Sequence, residues 1–127
     1  MKKVIALVLC LVMVLSMTAC RIVIDGEETV QRTTNDTIGL SVSTQNNPFF
    51  VTLVEGAKQA ADAAGIQLTV ADAGDDVTKQ TSDIEDLVAK GISVLIVNPV
   101  DSDAVTGAVE AAMAKGVKVI SVDRAVN

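Results

Sequence analysis

From Thr37 onward, short aliphatic runs alternate with longer stretches of helical period. The segments TIGLSVS (residues 37–43), IQLTVA (66–71), ISVLIV (92–97) and VKVISV (117–122) read as strands. The third is nearly all apolar, as suits a strand buried on both faces of a parallel sheet. Between them Phe50, Leu53, Val54, Ala57, Ala61 and Ala64 recur at the spacing of one helix face. Val77, Thr81, Ile84, Leu87 and Val88 do the same, as do Val105, Ala108, Val109, Ala112 and Met113. Each set predicts an amphipathic helix. Asp75 or Asp76, and Asp101 or Ser102, stand where the second and third helices need N-caps, and Gly65, Gly91 and Gly116 stand where the three helices end.

The phrases KGISVLIV and KGVKVISV are near copies, and the punctuating glycines recur about every 25 residues, the length of a strand plus a crossover helix. With right-handed crossovers, the expected fold class is α/β, an open parallel sheet with helices on both faces. In such a sheet a ligand sits outside the carboxyl ends of the strands, near the point where strand order reverses. The segments that follow the strands therefore belong together: STQNNPFF, DAGDD, NPVDSD and the pair Asp123–Arg124.

Upstream of this rhythm the pattern changes twice. Residues 25–36 (DGEETVQRTTND) contain one aliphatic side chain, Val30, too little to bury, and residues 20–36 are expected to be a flexible tether. Before the tether, Lys2 and Lys3 precede an apolar and small-residue run from Val4 to Met17, followed by Thr18, Ala19 and Cys20. That is the order of an export signal, and as helix the run would rise about 21 Å, short of a ~30 Å hydrocarbon core. The ending MTAC resembles the lipobox of bacterial lipoproteins, although Met17 stands where that motif usually has leucine. The resemblance implies a signal peptide over residues 1–19 and a lipid anchor on Cys20; the strand and helix pattern makes residues 37–127 the globular part. A plain secretory signal with Cys20 incidental is the alternative.

Composition then narrows the chemistry. The chain has 127 residues, a net charge of -6 and no histidine, which excludes a His-centred triad and the usual zinc sites. Ten Lys and Arg without a basic cluster argue against a nucleic-acid partner. No phosphate-cradling glycine motif occurs, which disfavours a flavodoxin-like enzyme or nucleotide binder. Asp72, Asp75 and Asp76 are close enough for a weak metal case, but caps and turns use aspartate in the same way.

A neutral polyol suits the carboxyl edge better. Its hydroxyls donate and accept, so a carboxylate, a guanidinium and amides together cover each kind of hydrogen bond, and its C–H faces suit a phenyl ring. Asn47, Phe49, Phe50, Asp123 and Arg124 supply those parts, and the two phenylalanines are the only aromatic residues in the sequence. Plainer readings stand beside this one. Asn47 and Pro48 make an ordinary helix start, Phe50 can head the apolar stripe, and Asp123 with Arg124 can be a surface pair.

Taken together, S-T-x-N-N-P-F-F after the first strand, N-P-x-D-S-D-A-V after the third and V-D-R after the fourth resemble the ribose-binding proteins of bacterial ABC importers. These form the pentose and hexose branch of the periplasmic binding protein superfamily. The resemblance runs from about Thr37 to Arg124. It implies a type I lobe with flavodoxin-like strand order, present here as an incomplete first lobe of two. It implies that Asn47, Asp123 and Arg124 hydrogen-bond sugar hydroxyls and that Phe49 and Phe50 pack on the ring faces. Asn98, Asp101 and Asp103 match the family as well and read chiefly as turn and cap residues. The implied partners are a monosaccharide, ribose first, and an ABC permease, with the membrane reached through the lipid anchor and with neither enzyme activity nor a cofactor. Alternatives are the sensing domain of a lactose-repressor-type regulator, which would begin with a basic helix-turn-helix instead of a signal, and a half-lobe that pairs its open sheet edge with another copy.

Overall fold

The computed structural model describes residues 36–127. The expected signal over residues 1–19, Cys20 and the tether up to residue 35 lie outside the described residues. Among the described residues seven elements alternate: β1 (Thr37–Val42), α1 (Pro48–Ala64), β2 (Gln67–Asp72), α2 (Val77–Ala89), β3 (Val94–Val97), α3 (Thr106–Ala114) and β4 (Lys118–Ser121). All four strands are parallel, in the order β2-β1-β3-β4, which is the expected open parallel sheet.

Strand order and crossover hand together decide which face each helix covers. The chain moves one way from β1 to β2 and the other way from β2 to β3 and on to β4. Right-handed crossovers then put α1 on one face and α2 with α3 on the other. The core divides in that way. Val54 of α1 packs with Leu40 and Val42, flanked by Phe50, Leu53, Leu68, Val70 and Ile96. Ile84 and Leu87 of α2 and Ala108, Val109 and Ala112 of α3 pack on the opposite face with Leu95 and Val97. Alternation along β1 sorts its residues accordingly, Leu40 and Val42 toward α1, and Gly39 and Ser41 toward α2. Gly39 is small for a reason of packing: a Cβ there would stand 2.9 Å from Ile92 Cδ1 and 3.2 Å from Leu87 Cδ1.

Local signals set most of the boundaries. Asn47 caps α1, its side chain accepting from Phe49 N, with Pro48 in the first turn where its missing N–H costs nothing. Gly65 closes the same helix in the left-handed region, φ 65°, while Ile66 N reaches back to Ala61 O at 2.9 Å. Asp76 caps α2 by accepting from Lys79 N at 3.0 Å. The third helix departs from expectation. It begins at Thr106, preceded by Val105 with no side-chain cap. Asp101 instead accepts from Asp103 N and Ala104 N, closing the turn that leads into α3. Met113, placed on the buried stripe of that helix by its period, is 58% exposed, because α3 is only nine residues long and β4, an outer strand, offers little to cover it.

Candidate functional site

Strand order reverses at β1, whose neighbours β2 and β3 are reached by helices on opposite faces. In open parallel sheets the ligand crevice lies beyond the carboxyl ends of the strands at such a reversal, here β1 and β3. The segment leaving β1, residues 43–47, and the segment leaving β3, beginning at Asn98, form its two sides.

Those sides are joined by one buried amide. Asn98 has no solvent exposure, and its Oδ1 accepts from Ser43 Oγ at 2.6 Å and from Ser43 N at 3.2 Å. Its Nδ2 donates to Val122 O at 3.3 Å and to Asp123 Oδ2 at 3.2 Å. Asn98 thus ties three strand ends together, which corrects its reading as a turn or cap residue. An amide can do this because it offers an acceptor and two donors at once.

The five residues singled out from the sequence fall into two groups. Asn47, Phe49 and Phe50 stand at the start of α1. The Asn47 carboxamide oxygen is engaged by Phe49 N at 3.0 Å, and its amide nitrogen is free to face outward. The two rings meet edge to face with centroids 5.2 Å apart. They differ in burial: Phe49 is 59% exposed, whereas Phe50 packs against the Leu40–Val42–Val54 cluster. The plain reading of Phe50 as head of the apolar stripe is therefore met, and Phe49 is the ring left open to solvent.

Asp123 and Arg124 form the second group, after β4. Asp123 adopts φ 67°, a left-handed conformation unusual outside glycine and tolerated best by Asn and Asp. Arg124 turns toward β3, where its Nη1 donates to Val100 O at 2.8 Å, and Ser121 Oγ donates to the Arg124 carbonyl. Asp123 and Arg124 are not a pair with each other: one is held by Asn98 and the other by Val100. Asp123 reaches the segment leading into α1 through Asn98 and Ser43, and no hydrogen bond joins the two groups directly. The structure thus brings all five to the carboxyl edge in two clusters.

The acidic turn after β2 has structural duties. Asp72 Oδ1 accepts from Gly74 N at 2.9 Å, and Gln45 Nε2 reaches Asp72 Oδ2 at 3.4 Å. Lys79 Nζ spans Asp72 O and Asp83 Oδ2, both at 2.7 Å. Among the described residues, no group of three or more acidic side chains is arranged to hold a cation.

Two residues of the site had escaped the reading of the sequence as anything chemical, Gln80 and Ser41, both fully buried beneath the edge. Gln80 Nε2 donates to Ser41 Oγ at 3.2 Å and to Asn98 O at 2.9 Å, while its Oε1 accepts from Val100 N at 2.7 Å. A signal for it was present. Position 80 lies three after Val77 and four before Ile84, on the buried stripe of α2, where a polar side chain needs a partner.

The family model for the periplasmic binding protein domain matches residues 38–127, which include all of the sheet but Thr37 and every residue of the candidate site. The chain belongs to the periplasmic binding protein family. Among its relatives in that family, the ribose import binding protein RbsB of Bacillus subtilis is 52% identical over 88 residues, 69% of this chain and 29% of the relative. An ABC transporter solute binding protein from Mycobacterium smegmatis, solved with bound glycerol, is 49% identical with a TM-score of 0.70, covering 72% of this chain and 32% of that one. The Caulobacter myo-inositol binding protein, solved with myo-inositol, is 34% identical with a TM-score of 0.71, covering 78% and 33%. The chain spans about three tenths of the length of the ribose import binding proteins that it matches.

Proposed function

We propose that this chain is the first-lobe part of an extracytoplasmic sugar-binding protein that serves an ABC importer without catalysis, with ribose as the favoured ligand. What supports this reading is that an exposed ring, Phe49, and the Asp123 and Arg124 side chains, tied to Asn98 and Val100, all follow strands at the same carboxyl edge of the sheet. A carboxylate accepts from hydroxyls, a guanidinium donates to them, and an exposed phenyl face covers the apolar side of a sugar ring. The ribose preference is supported by the curated relatives named for ribose import. The structural neighbours with glycerol and myo-inositol keep other polyols in contention. Residues 1–19 act in this reading as the export signal and Cys20 as the lipid anchor, so the lobe works at the outer face of the cell membrane, next to its permease.

One lobe supplies only one wall of a clamp, so affinity for free sugar is expected to be weak, with dissociation constants of roughly millimolar or above. Titration of the isotope-labelled chain with ribose, followed by amide resonances, tests the reading. Expected are saturable shifts at Phe49, Asp123 and Arg124, larger with ribose than with myo-inositol. Shifts of equal size with every polyol would remove the ribose preference. No shifts up to about 100 mM ribose would remove the site.

A second reading has its own observation. β4 is one of the two outer strands of the sheet and carries Ile120 at 52% exposure, a surface suited to pairing with another copy of the chain. Sedimentation that shows a monomer at all concentrations would exclude it.

A further inference from the structure

Arg124 owes its position to a residue on the far side of the sheet edge. Val100 is gripped on both sides of its backbone: its N–H donates to Gln80 Oε1 at 2.7 Å, and its C=O accepts from Arg124 Nη1 at 2.8 Å. Gln80 also donates to the Asn98 carbonyl, and Asn98 in turn holds Asp123 through its side chain. Both charged groups of the proposed site are therefore reached from one glutamine, along two short routes. We propose that Gln80 is the positioning residue of the site, setting where Arg124 and Asp123 stand without touching the ligand itself.

The chemistry of the position supports this. Gln80 is fully buried, on a helix stripe whose other members are apolar or partly so, and a leucine or methionine would fill that volume without any polar group to satisfy. Glutamine satisfies a particular demand there. It presents two donors, to Ser41 Oγ and Asn98 O, and one acceptor, to Val100 N, all from the end of a single side chain. An ionised glutamate would lack the donors, and a lysine would lack the acceptor. Among the described residues no buried side-chain nitrogen or oxygen is without a partner, so the network that includes Gln80 is complete. A fully satisfied buried network is rigid, and rigidity is what a site needs if its charged groups are to meet a neutral ligand without reorganising.

The functional meaning of this inference rests on the sugar-site reading, whereas its geometry does not, and the test separates the two. The whole chain and its Gln80→Met variant are compared by amide and guanidinium NMR signals, with and without ribose. The expected result is a folded Gln80→Met protein in which signals of Val100, Asp123 and Arg124 move or broaden while those of α1 stay in place. Exchange of the Arg124 guanidinium protons with water should quicken about tenfold, and the ribose-induced shifts should weaken with it. A folded variant with unchanged Asp123 and Arg124 signals overturns the proposal. Should the variant fail to fold, hydrogen exchange of the unaltered chain decides: a Val100 amide as protected as the amides of α2 supports the proposal, and exchange at the rate of an open loop overturns it. If the unaltered chain shows no response to ribose, the sugar reading fails, and the order of residues 98–100 and 123–124 still judges the role of Gln80.

Discussion

Asn98 Nδ2 donates to Asp123 Oδ2 at 3.2 Å while the same side chain's Oδ1 takes two hydrogen bonds from Ser43. A neutral amide is required between those neighbours, since one side presents donors and the other presents a carboxylate. Asn98→Asp keeps the shape and the bonds to Ser43, yet it sets a second carboxylate against Asp123 in a buried position. We expect a loss of about 2–4 kcal/mol in urea unfolding, from two lost donor contacts and from the repulsion. Asp123→Asn in the same chain should recover much of it by restoring a donor to the pair. A double variant no more stable than Asn98→Asp would show that the two side chains are not coupled.

Much of this arrangement is legible before any coordinates, and the boundary of what is legible has a physical cause. Strands and helices show in the sequence because burial imposes a period, as with Leu40 and Val42 against Ser41, or Ile84 and Leu87 along α2. Turn chemistry adds the Asn47 and Asp76 caps and the end of α1 at Gly65. The network beneath the edge is different. Asn98 meets Ser43 across 55 positions and Gln80 meets Ser41 across 39, so each partner is ordinary within its own segment and acquires meaning only when the sheet closes. For the same reason the sequence suggests Asp123 beside Arg124, whereas the structure attaches each to a different residue near β3.

Gly39 offers a test of how tightly α2 is pressed on the sheet. The nearest atoms that a Cβ would meet, Ile92 Cδ1 and Leu87 Cδ1, are ends of side chains and can shift by a few tenths of an ångström, with Ile92 Cγ2 next at 3.3 Å. Alanine also restricts the unfolded chain, worth about 0.4–1 kcal/mol in its favour. Gly39→Ala should therefore stay within about 1 kcal/mol of the original. Gly39→Val adds two further methyl groups to a closed core and should cost about 1–3 kcal/mol more. Thermal unfolding of the two variants measures the difference, and equal midpoints would mean that α2 lifts away freely.

The anchor proposed at Cys20 has a direct readout. In a bacterial host fed a labelled fatty acid, the unaltered chain should take up label and fractionate with membranes, whereas Cys20→Ala should do neither. Cys10 lies within the expected signal, so on this reading its replacement leaves labelling intact. Equal labelling of the chain and its Cys20→Ala variant would end the lipoprotein reading while leaving the sugar site untouched.

The two phenylalanines are adjacent and should nevertheless behave as opposites. Phe50 packs on Leu40, Val42 and Val54, and Phe50→Ala should cost about 3 kcal/mol of stability, near the lower end for a ring removed from a core, because the ring is only partly buried. Phe49 touches the solvent over 59% of its surface and meets Phe50 edge to face, so Phe49→Ala should change stability by about 0.5–1 kcal/mol. Ligand response reverses the order. Phe49 is the open ring beside the crevice, and its removal should abolish most of the ribose-induced shifts at Asp123 and Arg124 in a chain that unfolds almost as before. Phe49→Leu retains apolar cover without a flat face and should recover the response only in part. If Phe49→Ala responds to ribose as the unaltered chain does, the exposed ring is not a ligand contact, and its place at the head of α1 reflects helix-start geometry alone.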